Sequence, residues 1–344
     1  MKMRKDMKSH YLIGIVTLLF SGMLNAAYKT ETLILDNTRL HVTHWTNLNS
    51  DEKSSDNSPK METVILLSGP TDNWNSDSAW FARLAPKLSR HYNVLSLDRA
   101  GQLFADKHSK LGYVEFGKHL FEALLELNLT KITFIAFASS NISLLKLTQL
   151  NETLPEDSRL HINKIVLIDP DVLTPYSISR YSKDARPFKE NLVAYTKYIS
   201  EGKYQQRATE KNLAELKHLR ELSQDDSDTN WSYVELLFNK RLEINNIINL
   251  FAEVAIYDED LESVKNLSFP PEIPLVIFDT NFEQSYIDNT ENDQEKIDLN
   301  RWKVEARNYY QTLVNRSSKG EYIELPTKEH LLPFSQPKLI IERL

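Results

Sequence analysis

The sequence predicts an α/β fold: a mostly parallel central sheet with helices on both faces and an inserted helical block. Three observations predict it. Short continuous apolar runs, TVILL (63–67), KIVLI (164–168) and PLVIF (274–278), read as strands buried on both faces. Segments with apolar residues at helical spacing alternate with them, and that alternation builds parallel sheets. From about Val172 to Leu267 the strand-like runs stop and charged, helical segments take over.

In chain order, residues 1–27 have the build of a bacterial secretory signal. Lys2, Arg4, Lys5 and Lys8 precede the apolar run Tyr11–Leu24, and Asn25-Ala26-Ala27 supplies small residues for cleavage. The run is short for a membrane span of about 20 residues, so a mature chain without a stable membrane anchor, periplasmic or secreted, is expected. Thr30–Leu35 and Leu40–Trp45 alternate around Asp36-Asn37-Thr38 and read as a β-hairpin. Asn47–Lys60 is a polar loop. TVILL follows, then a helix over Ser78–Ser89, a strand over Asn93–Leu97 and a helix over Val114–Leu127.

Lys131–Leu147, KITFIAFASSNISLLKL, carries the strongest functional signal. An apolar strand passes small or polar residues, Ala138-Ser139-Ser140-Asn141, and resumes as a helix. Such a strand–turn–helix is the frame of a nucleophile elbow, which needs small side chains two residues either side of its apex. Ala136 and Ser140 meet that need around Ala138, which cannot attack anything. In the alternative register Ser139 is the apex, with Phe137 and Asn141 at the crowded positions. A third reading has Ser139 and Ser140 only capping the helix.

After the strand Lys164–Ile168, helices are expected over Phe188–Ile199, Arg207–Leu222 and Tyr233–Phe251. Pro270, Pro271 and Pro274 close that block, since proline cannot continue a helix. The strand Pro274–Phe278, a helix over Arg301–Val314, a strand over Glu321–Leu325 and a helix over Gln336–Leu344 complete the chain. The organisation is a signal over 1–27, a core over 28–171 and 268–344, and a helical cap over 172–267. The cap is placed over the strand C-termini, where ligands bind in open α/β sheets.

Composition narrows the function. The 344 residues are 41% hydrophobic, enough for a full core, and contain no cysteine, which excludes disulfides, thiolate chemistry and Cys-ligated zinc. The formal charge is −7; residues 1–27 contribute +3, which leaves −10. That balance argues against nucleic acid as a partner. Eight glycines leave little room for a phosphate loop. The histidines at 91, 108, 119, 161 and 218 do not form the i, i+4 pair with a nearby carboxylate that would suggest a metal site. Neither a cofactor nor a metal is expected, and the expected partner is a small-molecule substrate or ligand.

Several stretches, in order, resemble the α/β-hydrolase fold across nearly all of the mature chain. LLSGP (66–70) resembles the oxyanion loop, VLSLDRAG (94–101) the next strand and its turn, and KITFIAFASSN (131–141) the elbow. KIVLIDP (164–170) resembles the strand before the cap, PLVIFDTNFE (274–283) the acid-bearing strand and loop, and EHLLPFSQPKLIIERL (329–344) the His loop and closing helix. Three positions depart from the pattern: Ala138 stands at the nucleophile, Pro70 where a loop N–H often donates, and Leu103 where a second glycine often follows the turn.

The resemblance implies a serine hydrolase, of esterase or amidase type, acting on a small apolar acyl substrate. Ser139 would be the nucleophile, Glu283 the orienting acid and His330 the general base, with Thr71 and Ser140 donating to the oxyanion. Asp279, which ends its strand, and Asp171, after the strand before the cap, are rivals of Glu283. Asp98, Arg99 and Asp169 read as structural residues of turns. The opposing reading is a catalytically inactive homologue that binds a ligand or partner, because Ala138 leaves no nucleophile.

Overall fold

The structure is a computed structural model; it describes residues 27–35, 38–46, 62–71, 73–107, 110–127, 129, 131–223 and 228–344. The signal segment apart from Ala27, the hairpin tip at 36–37 and the polar loop at 47–60 lie outside these residues.

Among the described residues one eight-stranded sheet forms the centre. The chain runs β1 (Ala27–Leu35), β2 (Thr38–Thr46), β3 (Thr63–Leu67), α1 (Ala85–Leu88), β4 (Asn93–Leu97), α2 (Tyr113–Glu126), β5 (Ile132–Phe137), α3 (Ser140–Glu152) and β6 (Ile162–Ile168). Five helices follow: α4 (Pro175–Ser200), α5 (Gln205–Ser223), α6 (Trp231–Arg241), α7 (Ile244–Ala255) and α8 (Tyr257–Val264). The core then resumes with β7 (Leu275–Asp279), α9 (Glu283–Asn289), α10 (Asp293–Arg316), β8 (Gly320–Glu324), α11 (Leu332–Ser335) and α12 (Pro337–Ile341).

The strand order is β1-β2-β4-β3-β5-β6-β7-β8. The two pairings that involve β2 are antiparallel and the others parallel. The order reverses around β3, which has β4 on one side and β5 on the other. A crevice opens outside the strand C-termini at such a reversal.

The period of two along β5 divides the core. Ile132, Phe134 and Ala136 join the cluster with Leu120, Ile142 and Tyr310, from α2, α3 and α10. Ile135 and Phe137 join the cluster on the other face, with Trp80, Leu237 and Ile340. Both faces are therefore covered by helices, which is why the central strands read as unbroken apolar runs.

Several elements are broken where a continuous helix was expected. Ser78–Ser89 divides into a 3₁₀ turn at Ser78–Phe81 and the single turn α1, whose second residue is Pro86. Pro86 has no N–H to continue the turn before it. The segment expected as one helix over Tyr233–Phe251 is α6 followed by α7, with Glu243 in extended conformation between them. Gln336–Leu344 contains only α12, because Pro337 starts a new helix after α11. The loop expected to hold Glu283 is instead the start of α9.

The cap helices are fastened to the core by buried polar contacts. Arg99, in the turn after β4, makes a two-pronged ion pair with Glu253 of α7 at 2.7 and 3.0 Å. Its other arm donates to the Ser76 carbonyl at 2.8 Å. Asn249 of α7 donates to the Gly101 carbonyl, and Asp260 of α8 accepts from the Tyr113 N–H at 2.6 Å. No helix among the described residues is long and apolar enough to cross a membrane.

Candidate active site

The elbow forms where β5 ends. Ala138 has φ of +48°, in the left-handed region, and its N–H donates to the Ile168 carbonyl at 2.9 Å. Ser139 already has right-handed helical dihedrals and stands at the N-cap position of α3, but its side chain makes no capping hydrogen bond, so the reading of it as a cap does not hold. The Ser140 hydroxyl donates to the Leu67 and Phe137 carbonyls, tying the bend to β3. Gly69 packs against it so closely that a Cβ there would lie 2.2 Å from the Phe137 carbonyl oxygen and 2.6 Å from the Ser139 nitrogen. The apex is therefore residue 138.

This overturns the register with Ser139 at the apex. Phe137 is the last residue of the strand, fully buried, with its ring centroid 4.6 Å from that of His330. So large a ring has no place at a crowded position of the bend, and the small residues there are Ala136 and Ser140. The Ser139 hydroxyl is engaged elsewhere: its oxygen lies 2.5 Å from the Tyr257 hydroxyl, which donates to the Asp171 carboxylate.

His330 follows β8, and its ring packs against Phe137 at the base of the elbow. Its Nδ1 lies 2.8 Å from Oδ2 of Asp169, the first residue after β6. The Asp169 side chain is fully buried, whereas that of His330 is 20% exposed. The carboxylate is fixed by three donors: Thr280 N–H to Oδ1 at 2.7 Å, and Thr280 Oγ1 and His330 Nδ1 to Oδ2. Because an ionised carboxylate only accepts, this bond puts the proton on Nδ1 and leaves Nε2 as the basic nitrogen. Phe282, 4.2 Å away and inclined 30°, and Phe137 hold the ring between them.

The orienting carboxylate is thus Asp169, which sequence reasoning had assigned to a turn. Glu283 is buried at the start of α9, and no hydrogen bond among the described residues joins it to His330. Burial, with the negative charges of Asp169 and Asp279 behind it, raises its carboxyl well above the usual range. Asp279 accepts from the Tyr322 hydroxyl and is raised to about 7, mainly by burial. Asp171 is occupied by Tyr257. Burial pushes its carboxyl up to about 6, against the lowering bonds of Tyr257 and Ser139 and the charge of His330. One signal points to Asp169: it directly follows the apolar strand β6, two residues before Asp171.

The expected oxyanion donors are also displaced. The Thr71 N–H donates to the Asn75 carbonyl at 3.1 Å, and its hydroxyl to Glu215 at 3.0 Å. Ser140 is the second residue beyond the apex, so the N–H that follows the apex is that of Ser139. Pro70 has no N–H.

These groups open on one cavity of about 430 Å³. Ala138, Ser139, Asp169 and His330 line it from the core, and Arg180 and Tyr257 from the cap helices. No group of three or more His, Asp or Glu side chains among the described residues could hold a metal ion.

No family model matches the sequence, and no curated protein is similar to it in sequence. Solved structures are similar in fold. The epoxide hydrolase CorEH superposes with a TM-score of 0.60 at 14% identity, over 92% of this chain and 97% of that one. Cfl2 from Burkholderia cenocepacia gives 0.57 at 14% identity over 92% and 94%. An α/β-hydrolase fold protein from Burkholderia ambifaria gives 0.54 at 14% identity over 91% and 96%. With the strand order, the elbow and the His loop, these likenesses show that the chain has the α/β-hydrolase fold, with a helical cap and an elbow whose apex is alanine.

Proposed function

We propose that the protein is an exported hydrolase of small, largely apolar molecules in which His330, oriented by Asp169, activates water directly. The observation that carries this reading is that a complete His–Asp pair shares one cavity with Ala138. A base is in place, and the residue it would serve in a serine hydrolase has no hydroxyl. An alanine apex is smaller than serine by one oxygen, and a water can stand there.

In the reaction, Nε2 takes a proton from water as the water oxygen bonds to the acyl carbon, and the imidazolium then returns that proton to the departing alkoxide. Asp169 stabilises the imidazolium. No acyl-enzyme forms. Since Pro70 and Thr71 offer no N–H to the oxyanion, the substrates favoured are activated esters whose leaving group already carries negative charge well. Export rests on the composition of residues 1–27 and is tested by fractionating cells that express the full chain.

The test of chemistry is a panel of p-nitrophenyl esters with the purified protein. Steady turnover without an initial burst is expected, with no labelling by a fluorophosphonate and loss of turnover in His330→Ala. Labelling that disappears in Ser139→Ala would establish a serine nucleophile instead. Ala138 also favours a second reading, a pocket that binds without turning over. It is the outcome if molecules bind and no ester is cleaved.

A further inference from the structure

The cavity beside His330 contains a guanidinium that no carboxylate holds in an ion pair. Arg180, in the second turn of α4, lines it. Its guanidinium carbon lies over the Trp302 ring, 5.0 Å from the centroid, and no carboxylate pairs with it among the described residues. The buried arginines differ: Arg99 is held by Glu253, and Arg241 by Asp77 and Glu215. The platform under Arg180 is fixed, because Trp302 Nε1 donates to the Tyr181 hydroxyl at 3.2 Å and that hydroxyl accepts the Val172 N–H.

None of the carboxyls around it reaches it in an ion pair. Asp184, one turn further along α4, is exposed and makes no ion pair with Arg180, although the charges of Arg180 and Lys183 act on it. Asp169 is engaged by Thr280 and His330, and Asp171 by Tyr257. A guanidinium with its donors uncommitted, set in a wall of aromatic rings, matches a planar anion carried on an apolar body.

We propose that Arg180 recognises a carboxylate on the bound molecule, which makes the ligand class a monoanionic acid with an aromatic or apolar body. A phosphate suits the site less well, since it brings nearly two charges to a single cation that shares its cavity with three aspartates. This inference rests on the proposed hydrolase only in placing the reacting bond at His330; carboxylate recognition stands without turnover.

Binding is the measurement. Calorimetric titrations of the purified protein with 4-phenylbutyrate and with its neutral amide separate charge from shape. The acid is expected to bind at least tenfold more tightly than the amide. Arg180→Gln should remove that preference and leave the amide's affinity unchanged, while Arg180→Lys keeps part of it. His330→Ala should retain the preference, so that a failure of the hydrolytic reading and a failure of this one are told apart. Equal affinity for acid and amide, a preference that survives Arg180→Gln in a variant with an unchanged circular dichroism spectrum, or binding of neither probe overturns the proposal.

Discussion

His330 Nδ1 lies 2.8 Å from Asp169 Oδ2, and the same oxygen accepts the Thr280 hydroxyl at 2.7 Å. The carboxylate is therefore anchored to the loop after β7 and aims the ring from the end of β6. Replacing Asp169 by Asn keeps the shape but removes the charge and puts an amide where an acceptor was. The imidazole then loses its preferred tautomer and the stabilisation of its charged form. Ester turnover should fall by roughly 10²–10⁴-fold, with 4-phenylbutyrate binding intact. A variant that keeps wild-type kcat would remove Asp169 from the mechanism.

Ala138 holds the left-handed conformation of the apex with a methyl side chain, φ +48°. A serine fits the same backbone at little extra strain, since both residues carry a Cβ. Ala138→Ser should acquire fluorophosphonate labelling that the wild type lacks. Because Thr71 N–H is spent on Asn75 and Pro70 has none, the acyl-enzyme formed should break down slowly. A burst of product followed by weak turnover is the expected trace. An unlabelled Ala138→Ser protein of normal stability would mean that His330 cannot reach the apex.

The parts of this site that short-range pattern controls were legible in the sequence. Continuous apolar runs gave β3, β5, β6 and β7, and the small residues Ala136 and Ser140 marked the bend. The His330 loop was also found. The acid was not, because its identity depends on which strand-end carboxylate the loop lands on, and Asp169 and His330 are 161 positions apart. The occupation of the Ser139 hydroxyl by Tyr257, 118 positions away, is likewise set by how the cap docks. The helix breaks at Pro86 and Pro337 are masked in the sequence, because the amphipathic period continues through them while the hydrogen-bond ladder cannot.

The Arg99–Glu253 pair joins the turn after β4 to the cap, with each side chain 4% exposed. Removing one partner of a buried pair leaves the other charged and uncompensated, which costs about 3–5 kcal/mol. Glu253→Ala should show that loss in urea unfolding. It should also loosen α7 and α8 ahead of the sheet, seen as early hydrogen exchange confined to the cap. Uniform exchange across sheet and cap would show that the pair does not fasten one to the other.

Asp171 titrates near 3.8 in an unfolded chain and at about 6 in the folded protein, because burial outweighs its bonds to Tyr257 and Ser139. Between those values the folded state holds a proton that the unfolded state has released. The contribution of Asp171 to stability therefore falls as pH rises through that window and is level above it. Two pH units correspond to about 3 kcal/mol. Asp171→Asn removes this contribution while its amide oxygen still accepts the Tyr257 hydroxyl. Asp260 and Asp279, both raised to about 7, stay in both proteins and cancel in the comparison. The stability of the variant relative to wild type, from urea unfolding, should climb by up to about 3 kcal/mol between about pH 4 and about pH 7 and then hold constant. Parallel profiles would mean that the Asp171 carboxyl is ionised at its ordinary value, and that the Ser139–Tyr257–Asp171 chain carries a full negative charge beside the elbow.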